Sequence, residues 1–211
     1  MIKNNLISIT QKLRFHIRSF SFIAFLILLT ICFPRTHAAE SGIFNFSNIN
    51  LKNGLSQLSV LAIAQDSKGY IWFATRNGLN KYDGEKFTVY KHDNDDPHSL
   101  SDNHITCLLP DDANDGLWVG TNNGLNYINL KTNQITKYQT DDYPSMAGNN
   151  IAVLQFDQSG NLWVGTRTGL CIWYPRSGEF KKKYSDHIPE NEAIMQLYID
   201  AEKRLYIGTH R

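Results

Sequence analysis

This sequence is short of the residues that most metal and redox chemistry needs. Only three of its 211 residues are cysteine. One of them, Cys32, lies in an N-terminal apolar run, which leaves Cys107 and Cys171 in the body of the chain. An oxidising compartment would permit one disulfide between them, but two small buried apolar side chains is the favoured reading. The seven histidines are scattered without a zinc-like spacing. No glycine-rich phosphate loop follows a strand pattern, and no Ser-His-Asp constellation is recognisable. No metal, cofactor or catalytic residue is therefore expected. Excess positive charge is also missing. Five basic residues (Lys3, Lys12, Arg14, Arg18, Arg35) and no acid lie in residues 1–38, so of 21 basic and 20 acidic residues the remainder carries a net charge of −4. Such a body is no nucleic-acid binder, which would show a clustered positive face.

Long apolar runs are equally scarce. The one present, Phe20 to Phe33, has 14 residues, short of the ~20 that a spanning helix needs. It follows a basic lead, is broken by Pro34 and exits through Thr36-His37-Ala38-Ala39. That order describes a secretory signal peptide over residues 1–38, with cleavage expected after Ala38. An uncleaved membrane anchor is the rival. Leu29-Thr30-Ile31-Cys32 has the outline of a lipoprotein box, but Ile31 is too bulky before the cysteine.

What the sequence has in abundance is self-similarity, the first thing to look for. Asp66-Ser67-Lys68-Gly69-Tyr70-Ile71-Trp72-Phe73-Ala74-Thr75-Arg76-Asn77-Gly78-Leu79 returns as Asp112 to Leu125 and as Asp157 to Leu170. A fourth copy begins at Asp200 and runs through Tyr206-Ile207-Gly208-Thr209-His210-Arg211. The anchors Trp72, Trp118, Trp163 and Tyr206 are 46, 45 and 43 residues apart. A period in the forties with several strands per unit describes propeller blades. The apolar runs before each Asp (60–65, 105–109, 151–156) are too short for helices. The Trp segments are aromatic and β-branched, as strands prefer. Two further strand patterns follow in each unit, at 79–82 and 86–90, 125–129 and 134–138, 170–174 and 179–184. The fold class is therefore all-β, a β-propeller of four-stranded antiparallel blades over residues 39–211. The blades fall at about 57–90, 103–138, 149–184 and 194–211.

The repeated residues have structural roles. Gly69 and Gly160 fall where a hairpin turn needs positive φ, with Gly116 one place late in the second copy. Asp66, Asp112 and Asp157 can accept hydrogen bonds from turn amides. Trp72, Trp118 and Trp163 are expected to fill the space between blades, with each indole N–H bonded to backbone. In the fourth copy Lys203 replaces Gly and Tyr206 replaces Trp, so an irregular blade is expected there. Three and a half blades fall short of the four to eight that close a ring, and open sheet edges invite aggregation. A fragment, from a truncated gene or an incomplete reading frame, is expected. Lys181-Lys182-Lys183 reads as a charged guard on an outer strand.

The pattern Asp-x-x-Gly-x-[Ile/Leu]-Trp-[Phe/Val]-[Ala/Gly]-Thr-x-x-Gly-Leu, with leads such as Asn53-Gly54-Leu55-Ser56 and Ser99-Leu100-Ser101, resembles the two-component regulator propeller repeat. The likeness covers roughly residues 44–211. It implies a periplasmic sensor region of a membrane receptor, whose output is a histidine kinase, often hybrid, or a diguanylate cyclase. It also implies polysaccharide breakdown products as ligands, signalling as a homodimer, and attachment to the membrane by a later helix or by the N-terminus. No kinase histidine box or GGDEF motif is present in these residues.

Alternating strands put the second-to-third strand loops and the blade-to-blade loops (91–101, 139–149) on one face. Binding usually lives in loops on a rigid scaffold. That face offers Arg76, Asn77, Asn122, Asn123, Arg167, Thr168 and His210, whose amides and guanidinium forks suit sugar hydroxyls and carboxylates. The expected ligand is an acidic or neutral oligosaccharide. Ordinary polar turn residues are the plain alternative. Asp111 to Gly116 has the acidity of a calcium loop, but Ala113 stands at a ligand position and no Glu follows at the twelfth. Asp93 to Asp96 reads as a solvated loop. A propeller enzyme, of lyase or quinone-dependent dehydrogenase type, and a protein-interaction scaffold are the competing functions. Fold alone does not choose among them.

Overall fold

A computed structural model describes residues 46–185 and 188–210. The proposed export segment, residues 1–38, and Arg211 lie outside the described residues. The strands form three four-stranded antiparallel meanders and one two-stranded hairpin. Blade 1 is β1 (Val60–Gln65), β2 (Ile71–Thr75), β3 (Gly78–Tyr82) and β4 (Phe87–Tyr90). Blade 2 is β5 (Ile105–Asp111), β6 (Gly116–Thr121), β7 (Gly124–Asn129) and β8 (Ile135–Tyr138). Blade 3 is β9 (Ile151–Phe156), β10 (Leu162–Thr166), β11 (Gly169–Tyr174) and β12 (Glu179–Lys183). A half-blade follows, β13 (Ile194–Ile199) paired with β14 (Leu205–Thr209). The first strands stack in the order β1, β5, β9, β13, so the blades spread as an open fan. Among the described residues no helix is long and apolar enough to cross a membrane.

Each blade junction is made by one side-chain pattern. Trp72, Ala74 and Leu79 of blade 1 share a core with Leu117, Val119 and Leu108 of blade 2. Trp118 and Leu125 pack with Leu154, Leu162 and Val164 of blade 3. Trp163 and Leu170 pack with Ile194, Leu197 and Ile207 of the half-blade. The Trp position thus faces the following blade, and an aliphatic position on the first strand (Leu108, Leu154, Leu197) faces the preceding one. At the first blade the equivalent aliphatic residue, Ile63, is 64% exposed. At the half-blade Tyr206, at the Trp position, is 50% exposed.

The bond made by the Trp N–H differs from expectation. Trp72 Nε1 donates to Asp66 Oδ2 at 2.8 Å, a carboxylate and not backbone. Asp66 Oδ1 meanwhile takes the turn amides of Lys68 and Tyr70. The half-blade makes the same bond with a different donor: the Tyr206 hydroxyl donates to Asp200 Oδ2 at 3.1 Å. Its hairpin carries a register shift between Ile194 and Gln196, of the same kind as those at Val60/Ala62 and Ile105/Cys107 in blades 1 and 2, so the two substitutions add no further irregularity to it. In blade 2 the register corrects a second expectation. Asp111, not Asp112, pairs with Gly116 as Asp66 pairs with Tyr70. The turn is one residue longer there and closes through a 3-10 turn over Asp112–Asn114. The Asp111 carboxylate is then held by Asn114 Nδ2 at 2.9 and 3.0 Å, and Trp118 Nε1 is buried with no acceptor.

The turn position itself is fixed. Gly69 (φ 88), Asp115 (φ 49), Gly160 (φ 79) and Lys203 (φ 66) all adopt the left-handed region. In the second copy that task falls to Asp115, whose carboxylate pairs with Lys131 at 2.8 Å. Gly116, expected in the turn, instead opens β6, where a Cβ would collide with the Tyr127 hydroxyl.

Candidate functional site

The second-to-third strand loops are built by a repeated polar lock. In blade 1 the Thr75 hydroxyl donates to the Gly78 carbonyl at 2.8 Å. Asn80 Oδ1 accepts from the Ser56 amide and Asn80 Nδ2 donates to Ser56 Oγ, both at 2.8 Å. Ser56 and Thr75 share a hydroxyl–hydroxyl bond at 3.0 Å. Blade 2 repeats this with Thr121, Gly124, Asn126 and Ser101. Asn80, Asn126 and the two threonines are fully buried, so every polar atom of the lock must be satisfied internally. Blade 3 keeps Thr166 bonded to Gly169, but Ala147 stands in the Ser position and Cys171 in the Asn position. Both members differ from those of blades 1 and 2, and the Cys171 thiol donates to the Val164 carbonyl at 3.8 Å where the Asn126 amide donates to that of Val119.

The lock positions the predicted face. Gly78 N–H donates to the Asn103 carbonyl, Asn122 N–H to that of His104, Gly124 N–H to that of Asn149 and Arg167 N–H to that of Asn150. Each second-to-third strand loop is thereby joined backbone to backbone to a segment that enters its own or the next blade, at Asn149 within the predicted loop 139–149 and at Asn103, His104 and Asn150 just beyond the predicted loops. Arg76 is exposed, and its amide is bonded by Gln57 Oε1 at 2.9 Å. Asn77 Oδ1 receives Lys91 Nζ at 3.2 Å. Asn122 is occupied on both sides, by His104 Nδ1 at 2.9 Å and by Asn150 Nδ2 at 3.4 Å, so it serves as a strut between inner loops. Asn123 is exposed, with its carbonyl taken by Gln139 Nε2. The Arg167 guanidinium reaches Met195 Sδ at 3.4 Å. The Thr168 hydroxyl donates to the Ala147 carbonyl at 2.8 Å. His210 is exposed, one residue beyond β14. The groups left for an external ligand are chiefly Arg76, Asn123, Arg167 and His210. Loop 91–101 also walls an open depression of about 800 Å³ with Lys91, His92, Asp93 and His98.

On the opposite face, where the first-to-second and third-to-fourth strand turns lie, blades 2 and 3 leave a cavity of about 550 Å³. Its wall is aromatic: Trp118, Tyr127, Tyr138, Phe156 and Trp173. The rings lock each other, with Trp118 to Tyr127 at 4.7 Å, Tyr138 to Trp173 at 5.0 Å and Trp173 to Phe180 at 4.7 Å between centroids. Asp111, Asp112, Asn114 and Asn129 supply its polar rim. Burial, with Asp111 and Asp115 nearby, pushes the Tyr127 phenol up to about 12. Burial, then Tyr143 and Tyr127, does the same to Tyr138, also to about 12. Sequence reasoning did not find this cavity. Its signal is the extra turn residue between Asp111 and Gly116, visible in the sequence as a glycine one place late and an acidic turn without a calcium-loop spacing. The Ser–Asn locks were missed too, although the Leu-Ser and Gly-Leu-Asn pairs recur in the sequence.

Cys107 and Cys171 are free. Burial raises the Cys107 thiol to about 12 and the Cys171 thiol to about 11, so neither presents a nucleophilic thiolate.

The profile of the family described as "Two component regulator propeller" matches residues 54–77, 99–123 and 145–168. Those spans carry the leads and Trp segments of blades 1, 2 and 3. Histidine kinase P4 of Formosa agariphila is 43% identical over 63 residues, which are 30% of this chain and 5% of that protein. Among solved structures, the extracellular domain of the hybrid two component system BT3049 from B. thetaiotaomicron superposes with a TM-score of 0.69 at 28% identity. That match covers 77% of this chain and 23% of the other. PorZ, a surface component of the type-IX secretion system of Porphyromonas gingivalis, matches at a TM-score of 0.50 and 16% identity over 71% of this chain and 24% of PorZ, which speaks to the fold alone. The chain thus spans about a quarter or less of the length of these relatives.

Proposed function

We infer that this chain, whose blades are two-component regulator propeller repeats, is an exported ligand-sensing part of a two-component-type receptor. The observation that carries the reading is the likeness to the extracellular domain of a hybrid two component system, 28% identical over 77% of this chain. The 43% identical stretch shared with a histidine kinase supports it. The chain itself performs no catalysis in this reading; the output belongs to a kinase or cyclase region of the whole receptor. The ligand is an acidic or neutral oligosaccharide, bound on the loop face by the Arg76 and Arg167 guanidiniums with Asn123 and His210. Guanidinium forks match carboxylates in two-point contacts. Binding biases a receptor equilibrium only through its differential affinity for the two states, and the backbone bonds between loops make such a difference transmissible from blade to blade. The whole receptor works as a membrane-attached homodimer in the periplasm.

The test is thermal unfolding of this chain with acidic and neutral oligosaccharides. A ligand at a hundred times its dissociation constant stabilises by about 2.7 kcal/mol, a readily measured rise in midpoint. The double variant Arg76→Ala, Arg167→Ala should lose that rise while keeping its unliganded midpoint. If no oligosaccharide shifts the midpoint, or the double variant binds as tightly as the parent, the reading fails.

A further inference from the structure

The cavity between blades 2 and 3 lies beside the one turn among the three full blades that carries an extra residue. In blade 1 the carboxylate at the turn is consumed by the Trp indole and two turn amides. In blade 2 the inserted residue turns the carboxylate of Asp111 toward Asn114 and leaves it, with Asp112, on the rim of the cavity. Blade 3 also lacks the indole bond, with Trp163 Nε1 buried and without an acceptor and Asp157 Oδ2 taken by Asn161, but only blade 2 adds a residue to the turn and so brings a second carboxylate to the cavity. The volume, about 550 Å³, lies in the range of small-molecule sites. The opening lies in turns of blades 2 and 3, on the face opposite Arg76 and Arg167, so it is separate from the loop site.

The lining is one-sided in charge. Two carboxylates, Asp111 and Asp112, stand on the rim, and no Lys, Arg or His is among the residues that form it. Asp115 lies next to the rim, paired with Lys131. The negative field is felt inside: Asp111 and Asp115 both disfavour ionisation of Tyr127. An anion is therefore repelled. The wall beneath the carboxylates is five aromatic rings, whose π faces attract cations and bury methyl or methylene groups equally well. We propose that this cavity binds a small organic cation, an amine or quaternary ammonium. Its charge lies against Asp111 and Asp112, and its alkyl groups lie among Trp118, Tyr127, Tyr138 and Trp173.

The experiment is calorimetric titration of the chain with choline and, in parallel, with its neutral isostere 3,3-dimethylbutan-1-ol. Choline should bind saturably, and the isostere at least about tenfold more weakly, because only the cation gains from the ring quadrupoles and the carboxylates. Asp112→Asn, at an exposed residue with no side-chain bond among those described, should weaken choline severalfold without moving the unfolding midpoint. Asp111→Asn should weaken it further. Arg76→Ala with Arg167→Ala should leave choline binding unchanged, which separates this site from the loop face. Absence of saturable choline binding, equal binding of the isostere, or indifference to Asp112→Asn would overturn the proposal.

Discussion

Removing one indole N–H should cost the fan very differently depending on which blade loses it. Trp72 is fully buried, and its N–H is bonded to a carboxylate that is itself only 5% exposed. Trp72→Phe keeps an aromatic ring in the junction between blades 1 and 2 but strips that bond. A hydrogen bond to a charged group is worth about 1.5–3 kcal/mol, and the buried acceptor left behind adds desolvation cost. The smaller ring also leaves a void, worth about 1–2 kcal/mol if the site relaxes only partly. Trp118→Phe creates a similar void at the next junction but breaks no bond, since Trp118 Nε1 has no acceptor; it relieves an unsatisfied donor. Trp72→Phe should therefore destabilise by about 2 kcal/mol more than Trp118→Phe. Urea unfolding followed by far-ultraviolet circular dichroism gives both midpoints, and at an unchanged slope the difference in midpoint reads the difference in stability. Equal costs at the two positions, or a larger cost at Trp118, would refute the assignment of the Asp66–Trp72 bond as a stabilising anchor.

Other outcomes follow from the same geometry. Asn126→Ala leaves the Ser101 amide and hydroxyl without their shared partner and should cost about 2–3 kcal/mol in the same unfolding assay. Gly116→Ala forces Tyr127 aside, so a shifted tyrosine and tryptophan emission should accompany a loss of about 1–3 kcal/mol. Tyr138 has a raised pKa, so its stabilising effect is complete below the unfolded value near 10 and is lost as pH climbs through about 12. Base titration of Tyr138→Phe should show a later, shallower loss of structure than the parent. Asp157 is shifted the other way. Burial pushes its pKa up, but bonds from Asn161 and the Ser159 amide outweigh that and hold it below the usual carboxylate range. Its contribution is present above the unfolded value and lost as pH falls through the folded one, and Asp157→Asn should flatten that part of the acid titration. A thiol reagent at pH 8 should label neither Cys107 nor Cys171 until denaturant is added, with both then reacting without reductant.

The strands were legible because each depends on short-range signals that recur. β1, β9 and the Trp strands fell where apolar runs and turn glycines placed them, within a residue or two of the structure. The junction role of the Trp was legible for the same reason, since a large ring repeated at blade spacing has nowhere else to go. What failed were decisions made by a single atom. Asp111 and Asp112 are adjacent carboxylates, and only the strand register shows which one lies over β6. The acceptor of the Trp72 N–H could not be told from backbone without the side-chain direction of Asp66. On the loop face, Asn122 has the chemistry of a ligand contact but spends both its polar atoms on His104 and Asn150. The cavity was invisible because its lining is gathered from two blades, between Pro110 and Pro175, at positions with no common spacing.

The substitution of Ala147 and Cys171 for a Ser and an Asn bears on how such an array can drift. A blade that loses only the serine strands a buried amide side chain, and one that loses only the asparagine strands a hydroxyl and a backbone N–H. Each single step carries a penalty of about 1–3 kcal/mol, whereas in the completed exchange no hydroxyl or amide side chain is left to satisfy, and the Cys171 sulfur faces the Ala147 amide and donates to the Val164 carbonyl. Blade 3 lies on one side of that valley, and blades 1 and 2 lie on the other. Copies of the repeat are therefore not interchangeable parts: grafting the lead segment of blade 3 onto blade 1 would place an alanine opposite Asn80. Recombination between blades of such a chain is productive only when its crossover points keep the lead and the third strand together.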